Sequence, residues 1–398
     1  MPHSPSTADT MRSRIAAFLA QEERAMFDQL RALVLEPSPS RHKPGTDAVG
    51  ALLADSLHPA GMQLEVVPQA EFGNHLIFRS PAAVTGQPAI LLFGHMDTVF
   101  PLDNPFSDYR DDGKIVSGPG VIDMKGGLVC AVWAIRALAA CGLLTEIPLT
   151  FVCNSEEEIG SPTSTAVFRD EARRSCAALG FECGGPNGEV VTGRKGRSGY
   201  RLTVAGRAGH AAFAGADKAS AILELAHKTI ALEALNDPER GIVVNVGVIA
   251  GGIGPNTVSD HASAEIDTRF LRRDDAEETA ARMAAIASHA TVAGTAAELL
   301  YTGGRPPMEQ SGKNTALFEI IRREAKRLGQ PCAAELRSGV SDANTIAQSD
   351  IPVVDGLGPT GNGDHSDREY MVRRSLPART LLAACSILGI REDRLRSG

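Results

Sequence analysis

Three short apolar runs, over 89–93, 147–153 and 177–181, each stop at polar residues that a buried strand cannot carry without partners. The first continues as GHMDTVFP, the second as NSEEEIGS and the third as ECGG. An unpartnered polar group taken out of water costs on the order of 2–7 kcal/mol, and a charge costs more. A chain that repeats this placement has to bring partners to the same ends. Between the runs lie helical patterns, most clearly over 125–141, where Leu128, Val132, Ile135, Leu138 and Ala139 recur at helical spacing before the stop at Gly142. A second helix is predicted over 161–174. Apolar runs alternating with helices predict an α/β fold with a mixed, largely parallel sheet and helices on both faces. In such open sheets, sites gather at the carboxyl ends of the strands.

Upstream, Ile15, Phe18, Leu19, Met26 and Leu30 mark one opening amphipathic helix. A loop rich in Pro and Ser over 36–44, a helix over 46–57 and strands over 62–67 and 75–79 follow. From 194 to 305 the texture changes. Strand 198–204, helix 219–236, strands 242–249 and 262–270, helix 274–290 and strand 297–301 form the βαββαβ order of a ferredoxin-like unit. Alternation then resumes, with helices over 315–328, 342–348 and 377–388 and a strand over 353–357. A chain of 398 residues is long for a single core. We therefore expect a catalytic domain formed by 1–193 and 306–398, interrupted by an inserted module at 194–305.

Composition narrows the function classes. The net charge is −8, and the Lys and Arg residues are scattered, which argues against a nucleic-acid surface. No stretch approaches the roughly 18 apolar residues of a membrane span. The seven cysteines form no C-x-x-C pair and mostly sit in apolar runs, as expected of small hydrophobes in a reducing compartment. With no signal-like apolar segment at the N-terminus, the expectation is a cytoplasmic protein.

The polar groups past the strands are His95 and Asp97, Glu156 to Glu158, and Glu182. Asp123 lies in GPGVIDMKGG just before the 125–141 helix, and His365 lies in GNGDHSD. Taken singly, each reads as an ordinary loop or surface residue. Together, imidazoles and carboxylates at successive strand ends are the ligands Zn²⁺ takes outside cysteine sites, in about the number two ions sharing a carboxylate require. His95 and Asp97 are two apart on an extended segment and share a face, so Asp97 is expected to orient the imidazole while His95 alone reaches metal.

GHMDTVFP, GPGVIDMKGG, NSEEEIGS, FECGG, GRAGHA, GGIGPNTV and HSDREYM, in that order across nearly the whole chain, resemble the two-zinc metallopeptidase family of aminoacylases and glutamate carboxypeptidases. Within it, the folate-hydrolysing carboxypeptidases of bacteria are the nearest type. The resemblance implies that His95, Asp123 and Glu182 hold one Zn²⁺ and that Asp123, Glu158 and His365 hold the other, with Co²⁺ or Mn²⁺ as replacements. It makes Glu157 the general base, Asp97 the support of His95, and His210 the oxyanion donor, which in similar enzymes comes from the partner subunit. Arg269, Lys195 and Asn256 match the family's substrate contacts, and the inserted module matches its lid, through which a homodimer forms. Arg194 and Arg197 read as surface charges.

One departure stands out. Residues 338–342 read SGVSD where relatives tend to carry a GGGTD-like turn, so Val340 narrows or re-aims the pocket and weakens the case for strict glutamate preference. The implied activity is zinc-dependent hydrolysis of an amide bond next to a free carboxylate, releasing a C-terminal amino acid from N-acyl amino acids, dipeptides or folate-like conjugates. An aminoacylase or dipeptidase with another side-chain pocket is the nearest alternative. A metal-binding module without catalysis is a further one, against which the presence of Glu157 counts.

Overall fold

Every residue of Ala89–His95 and of Leu149–Asn154 is buried, the continuous apolar pattern of strands covered on both faces. In the computed structural model, which describes residues 7–215 and 217–397, the main strands are β1 (Gln63–Val67), β2 (His75–Arg79), β3 (Ala89–His95), β4 (Leu149–Asn154), β5 (Ser175–Gly180), β6 (Gly196–Ala205), β7 (Val243–Gly251), β8 (His261–Phe270), β9 (Ala296–Arg305) and β10 (Val353–Val354). Six of them form one sheet in the order β1, β2, β4, β3, β5, β10. Pairing is parallel from β4 to β10 and antiparallel on both sides of β2. Successive side chains of β3 explain the two covered faces. Ile90 and Leu92 join the core with Leu128 and Val132 of the helix Lys125–Ala140. On the opposite face Phe93 meets Phe168 of the helix Thr165–Arg173 edge-on, with ring centroids 6.2 Å apart.

Two compact units divide the chain. The first comprises Met1–Gly193, Gln310–Leu336 and Ser341–Gly398, and the second Arg194–Glu309 with Arg337–Val340. In the second, the antiparallel sheet β7, β8, β6, β9 carries the helices Ala221–Glu233 and Arg273–Ser288. Leu202, Val204, Leu225, Val244, Ile266 and Met283 form its core. Chain order and strand order together are those of the ferredoxin-like unit.

Several predicted elements shift. The opening helix is two helices, Thr7–Gln21 and Glu23–Val34, separated at Glu22, whose ψ of 6° is not helical. The helix expected from 161 begins at Thr165, because the residues before it form a turn around a buried carboxylate. The last helix runs Ser375–Ser397, well past 388. Short strands at Ile115–Ser117, Glu189–Arg194 and Ala333–Arg337 carry no periodicity long enough to read. Among the described residues no helix is long and apolar enough to cross a membrane.

The second unit buries one ion pair completely. Glu224 and Lys228, one helical turn apart at 2.9 Å, are 0% and 2% exposed on their side chains. Burial pushes the Glu224 carboxyl up, but Lys228 and the amides of Thr291 and Val292 outweigh it and hold the carboxyl below its ordinary value of 4.5. A lowered carboxyl stabilises the fold above the unfolded-state value, and that contribution fades as pH falls through the folded value. Glu224→Ala strands the Lys228 ammonium and should cost about 3–5 kcal/mol in urea unfolding at pH 7. The gap between variant and wild type should shrink as pH drops below 4.5.

Candidate metal centre

Because β4, β3 and β5 are parallel neighbours, their carboxyl ends lie side by side. His95 is level with Asn154 and Phe93 with Gly180. The residues just beyond therefore converge. His95, the last residue of β3, places Nδ1 2.9 Å from the Asp97 main-chain oxygen and 3.3 Å from its carboxylate. Its Nε2 lies 3.1 Å from Asp123 Oδ1 and 3.6 Å from Glu182 Oε1. The other Asp123 oxygen, Oδ2, is 3.1 Å from His365 Nε2, which is also 3.1 Å from Glu158 Oε2. Two groups of three potential ligands result, His95–Asp123–Glu182 and Asp123–Glu158–His365, each with its atoms within 4.8 Å of one another and both sharing Asp123.

The three glutamates after β4 separate by direction. Glu156 is fully buried, and its carboxylate accepts hydrogen bonds from the amides and hydroxyls of Thr163 and Ser164, so it holds a turn together. Glu158 faces His365. Glu157, half-buried between them, is close enough to the cluster to raise the Glu182 carboxyl. Asp97 does more than steady an imidazole. Its carboxylate accepts the Glu157 amide at 3.1 Å, the Glu158 amide at 3.2 Å and the Ser40 hydroxyl at 2.6 Å, tying the end of β3 to the loop after β4.

The loop carrying Asp123 is fixed by close approach. A Cβ on Gly127 would sit 1.9 Å from the Phe181 carbonyl oxygen, so only glycine lets this helix start press against the residue before Glu182. The Asp123–Met124 peptide is cis. His365 adopts a left-handed backbone with φ +60°, a conformation unfavourable for a β-carbon residue unless its surroundings enforce it. Glu369, fully buried, accepts the amides of Gly120, Ile122 and Asp123.

The electrostatics of the cluster call for positive charge. Burial, reinforced by the Asp123 charge, pushes Glu182 well above the usual carboxylate range, and burial likewise raises Glu158. Burial disfavours a charged His95, yet its bonds to Asp123 and Asp97 outweigh this and raise it well above 6.5. Hydrogen bonds to Asp123 and Glu158 raise His365 to about 11. Burial opposes the charge on Asp123, but His365 and His95 win and hold it low. Glu158 Oε1 is buried with no hydrogen-bond partner. Imidazoles raised by surrounding carboxylates, and an orphaned carboxylate oxygen, are what a pair of divalent ions satisfies.

The remaining expected residues lie on the second unit. Arg269 donates from Nε to Asp267 at 2.7 Å and directs NH1 towards Ser338 O at 3.5 Å. Lys195 donates from Nζ to Gly241 O and from its amide to Arg337 O. Val340 is half-buried in the Arg337–Val340 segment. His210 is exposed, its Nδ1 accepting the Ala212 amide at 3.1 Å, and Asn256 is its neighbour through the bond from Ala211 N to Asn256 O. Arg194, expected at the surface, is instead 4% exposed and donates to Gly339 O. Sequence reading assigned no role to Ser40, Glu156 or Glu369. Glu369 sits inside the HSDREYM motif, so its position was visible while its partners were not.

A parallel-sheet domain with histidines and carboxylates converging past the strand ends defines a metallo-hydrolase. The chain belongs to Peptidase family M20/M25/M40, whose model matches residues 91–388. It is similar to carboxypeptidase G2 of Pseudomonas sp. strain RS-16, 25% identical over 376 residues that cover 93% of this chain and 90% of that protein. It is also similar to the succinyl-diaminopimelate desuccinylase of Delftia acidovorans, 28% identical over 346 residues, 81% of this chain and 87% of that one. Among solved structures, aminopeptidase PepT from Bacillus cereus shares the fold with a TM-score of 0.79 at 23% identity, covering 92% of this chain and 98% of its own. The M20 metallo-carboxypeptidase Sso-CP2 from Sulfolobus solfataricus does so at 0.72 and 16% identity, covering 92% and 99%.

If Asp123 serves both groups, Asp123→Ala should lose all stoichiometric metal and Glu182→Ala about half, read by elemental analysis after gel filtration. Since both imidazoles carry raised values without metal, loading at pH 7 should release protons and affinity should rise with pH. Calorimetry in buffers of different ionisation heat measures the release.

Proposed function

We propose that this M20 peptidase is a two-zinc hydrolase of amide bonds adjacent to a free carboxylate, with His95, Asp123 and Glu182 holding one ion and Asp123, Glu158 and His365 the other. The observation that carries the reading is the shared Asp123 carboxylate, one oxygen beside each histidine, with Glu157 directly before the ligand Glu158 in the chain. Bound zinc supplies a Lewis acid for the carbonyl oxygen and lowers the pKa of water towards 7.

Glu157 takes the proton from the attacking water as oxygen adds to the carbonyl carbon, then returns it to the leaving nitrogen as the C–N bond breaks, yielding a carboxylate and an amine. One carboxylate thus serves as base and then acid, a contribution of about 10²–10⁴-fold. Asp97, holding the amides of both Glu157 and Glu158, keeps base and ligand in fixed relation. His210 donates a hydrogen bond to the developing oxyanion, from its own chain or from that of a partner in a homodimer formed through the inserted unit. Arg269 offers a planar fork to the substrate carboxylate. Lys195 and Asn256 add polar contacts, and Val340 limits the pocket.

The substrates are N-acyl amino acids, dipeptides or folate-like conjugates. The similarity to a carboxypeptidase over 93% of the chain supports a C-terminal amino acid as leaving group. An aminoacylase-like or dipeptidase-like preference is the second reading, favoured by Val340 at a position where relatives tend to carry glycine. The free thiols of all seven cysteines suit a cytoplasmic location.

Glu157→Gln should retain both metal equivalents while kcat falls by at least about 10²-fold; near-normal turnover would remove Glu157 from the base role. A panel of N-acylglutamates, other N-acyl amino acids and dipeptides discriminates the two readings. Glutamate release no faster than release of other residues would exclude the glutamate carboxypeptidase version.

A further inference from the structure

Glu369 is a charged residue with no exposed surface, and the reaction described above does not use it. Its Oε2 accepts the Gly120 amide at 2.9 Å, and its Oε1 accepts the amides of Ile122 at 2.8 Å and Asp123 at 3.1 Å. Those three donors belong to the loop that ends in the shared ligand. Glu369 itself closes the loop carrying His365, with its amide bonded to Ser366 O, while the Ser366 amide and hydroxyl bond to Gly363 O. One side chain therefore fastens the two loops whose ligands meet at 3.1 Å between His365 Nε2 and Asp123 Oδ2. Backbone φ values of +72° at Gly120 and +60° at His365 show that neither loop relaxes into an ordinary extended or helical course.

We propose that Glu369 is a positioning residue for the dinuclear centre: by gathering the 120–123 amides it sets the Asp123 carboxylate where both ions share it. The inference rests on the two-ion reading above. A carboxylate suits this task because both oxygens only accept. The amide of glutamine presents one accepting oxygen, and its N–H groups would face backbone N–H groups of the same loop. Partners of metal ligands typically govern affinity by about 10- to 100-fold.

The test is a competition titration of zinc against a chromophoric chelator, using full-length wild type, Glu369→Gln, and Glu171→Gln. The last weakens the partly buried pair of Glu171 with Arg79, at 2.6 Å, which touches neither loop. Both zinc-binding steps should weaken by about 10- to 100-fold in Glu369→Gln, while Glu171→Gln should lower Tm and leave both steps unchanged. Unchanged affinities in Glu369→Gln, or weakening of one step alone, overturn the proposal. Wild type that binds a single ion overturns the two-ion reading and this inference together, whereas two ions in wild type with an unaffected variant overturns the inference alone. If Glu369→Gln does not fold, hydrogen exchange over peptide 118–124 of zinc-loaded wild type decides. Exchange as slow as that of the Lys125–Ala140 helix supports the clamp, and rapid exchange overturns it.

Discussion

The Asp123 carboxylate gives one oxygen to each of two histidines, and much of the first unit can be understood as the means of holding it there. Three carboxylates and two imidazoles, in two groups whose ligand atoms lie within 4.8 Å of one another, form an assembly in which the carboxylates repel one another unless positive charge is supplied. The carboxylates in turn raise His95 and His365, which shows how strongly the site favours positive charge. The fold carries this tension because the loops around Asp123 are bonded to groups outside the cluster: to Glu369 through three amides, and to Phe181 through the close packing of Gly127.

The parallel sheet is what brings ligands remote in sequence together. β3, β4 and β5 are adjacent and in register, so the residue ending β3 and those following β4 and β5 emerge at one level. Asp97 then links two of these ends directly, since its carboxylate receives the amides of Glu157 and Glu158. A neutral side chain at Asp97 would leave those amides and the Ser40 hydroxyl with a weaker acceptor. Glu156 performs a separate task, ordering the 161–164 turn, and this division explains why successive acids can coexist: Glu156 is internal to the protein, Glu157 is half-buried and Glu158 faces the second histidine.

Much of this was legible in the chain. The runs ending at Phe93, Cys153 and Phe181 announced strands whose polar ends needed partners, and the helix from Lys125 followed from apolar spacing with a glycine stop. The βαββαβ order of the insert was equally readable, because its elements are long and separated by clear turns. Strands of two to six residues were not, since Ile115–Ser117 and Ala333–Arg337 are too short to show a period, and each pairs with a segment remote in sequence, Tyr370–Val372 and Glu189–Arg194. The break at Glu22 was also silent, because none of the residues there forbids a helix. Arg194 read as a surface charge, yet it is buried against Gly339, a contact 145 residues away in sequence.

By itself the sequence determined which residue types stand at the strand ends and in what order, because periodicity and the cost of burying polar groups act locally. Which of Glu156, Glu157 and Glu158 serves as a ligand was readable only through the family resemblance, and nothing in the sequence indicated that Glu156 orders the 161–164 turn, that Ser40 closes Asp97, or that Glu369 gathers the amides before Asp123. Those are decided by the tertiary structure. Each depends on hydrogen-bond geometry between segments tens to hundreds of residues apart, and such geometry exists only once the sheet has set its strands in register.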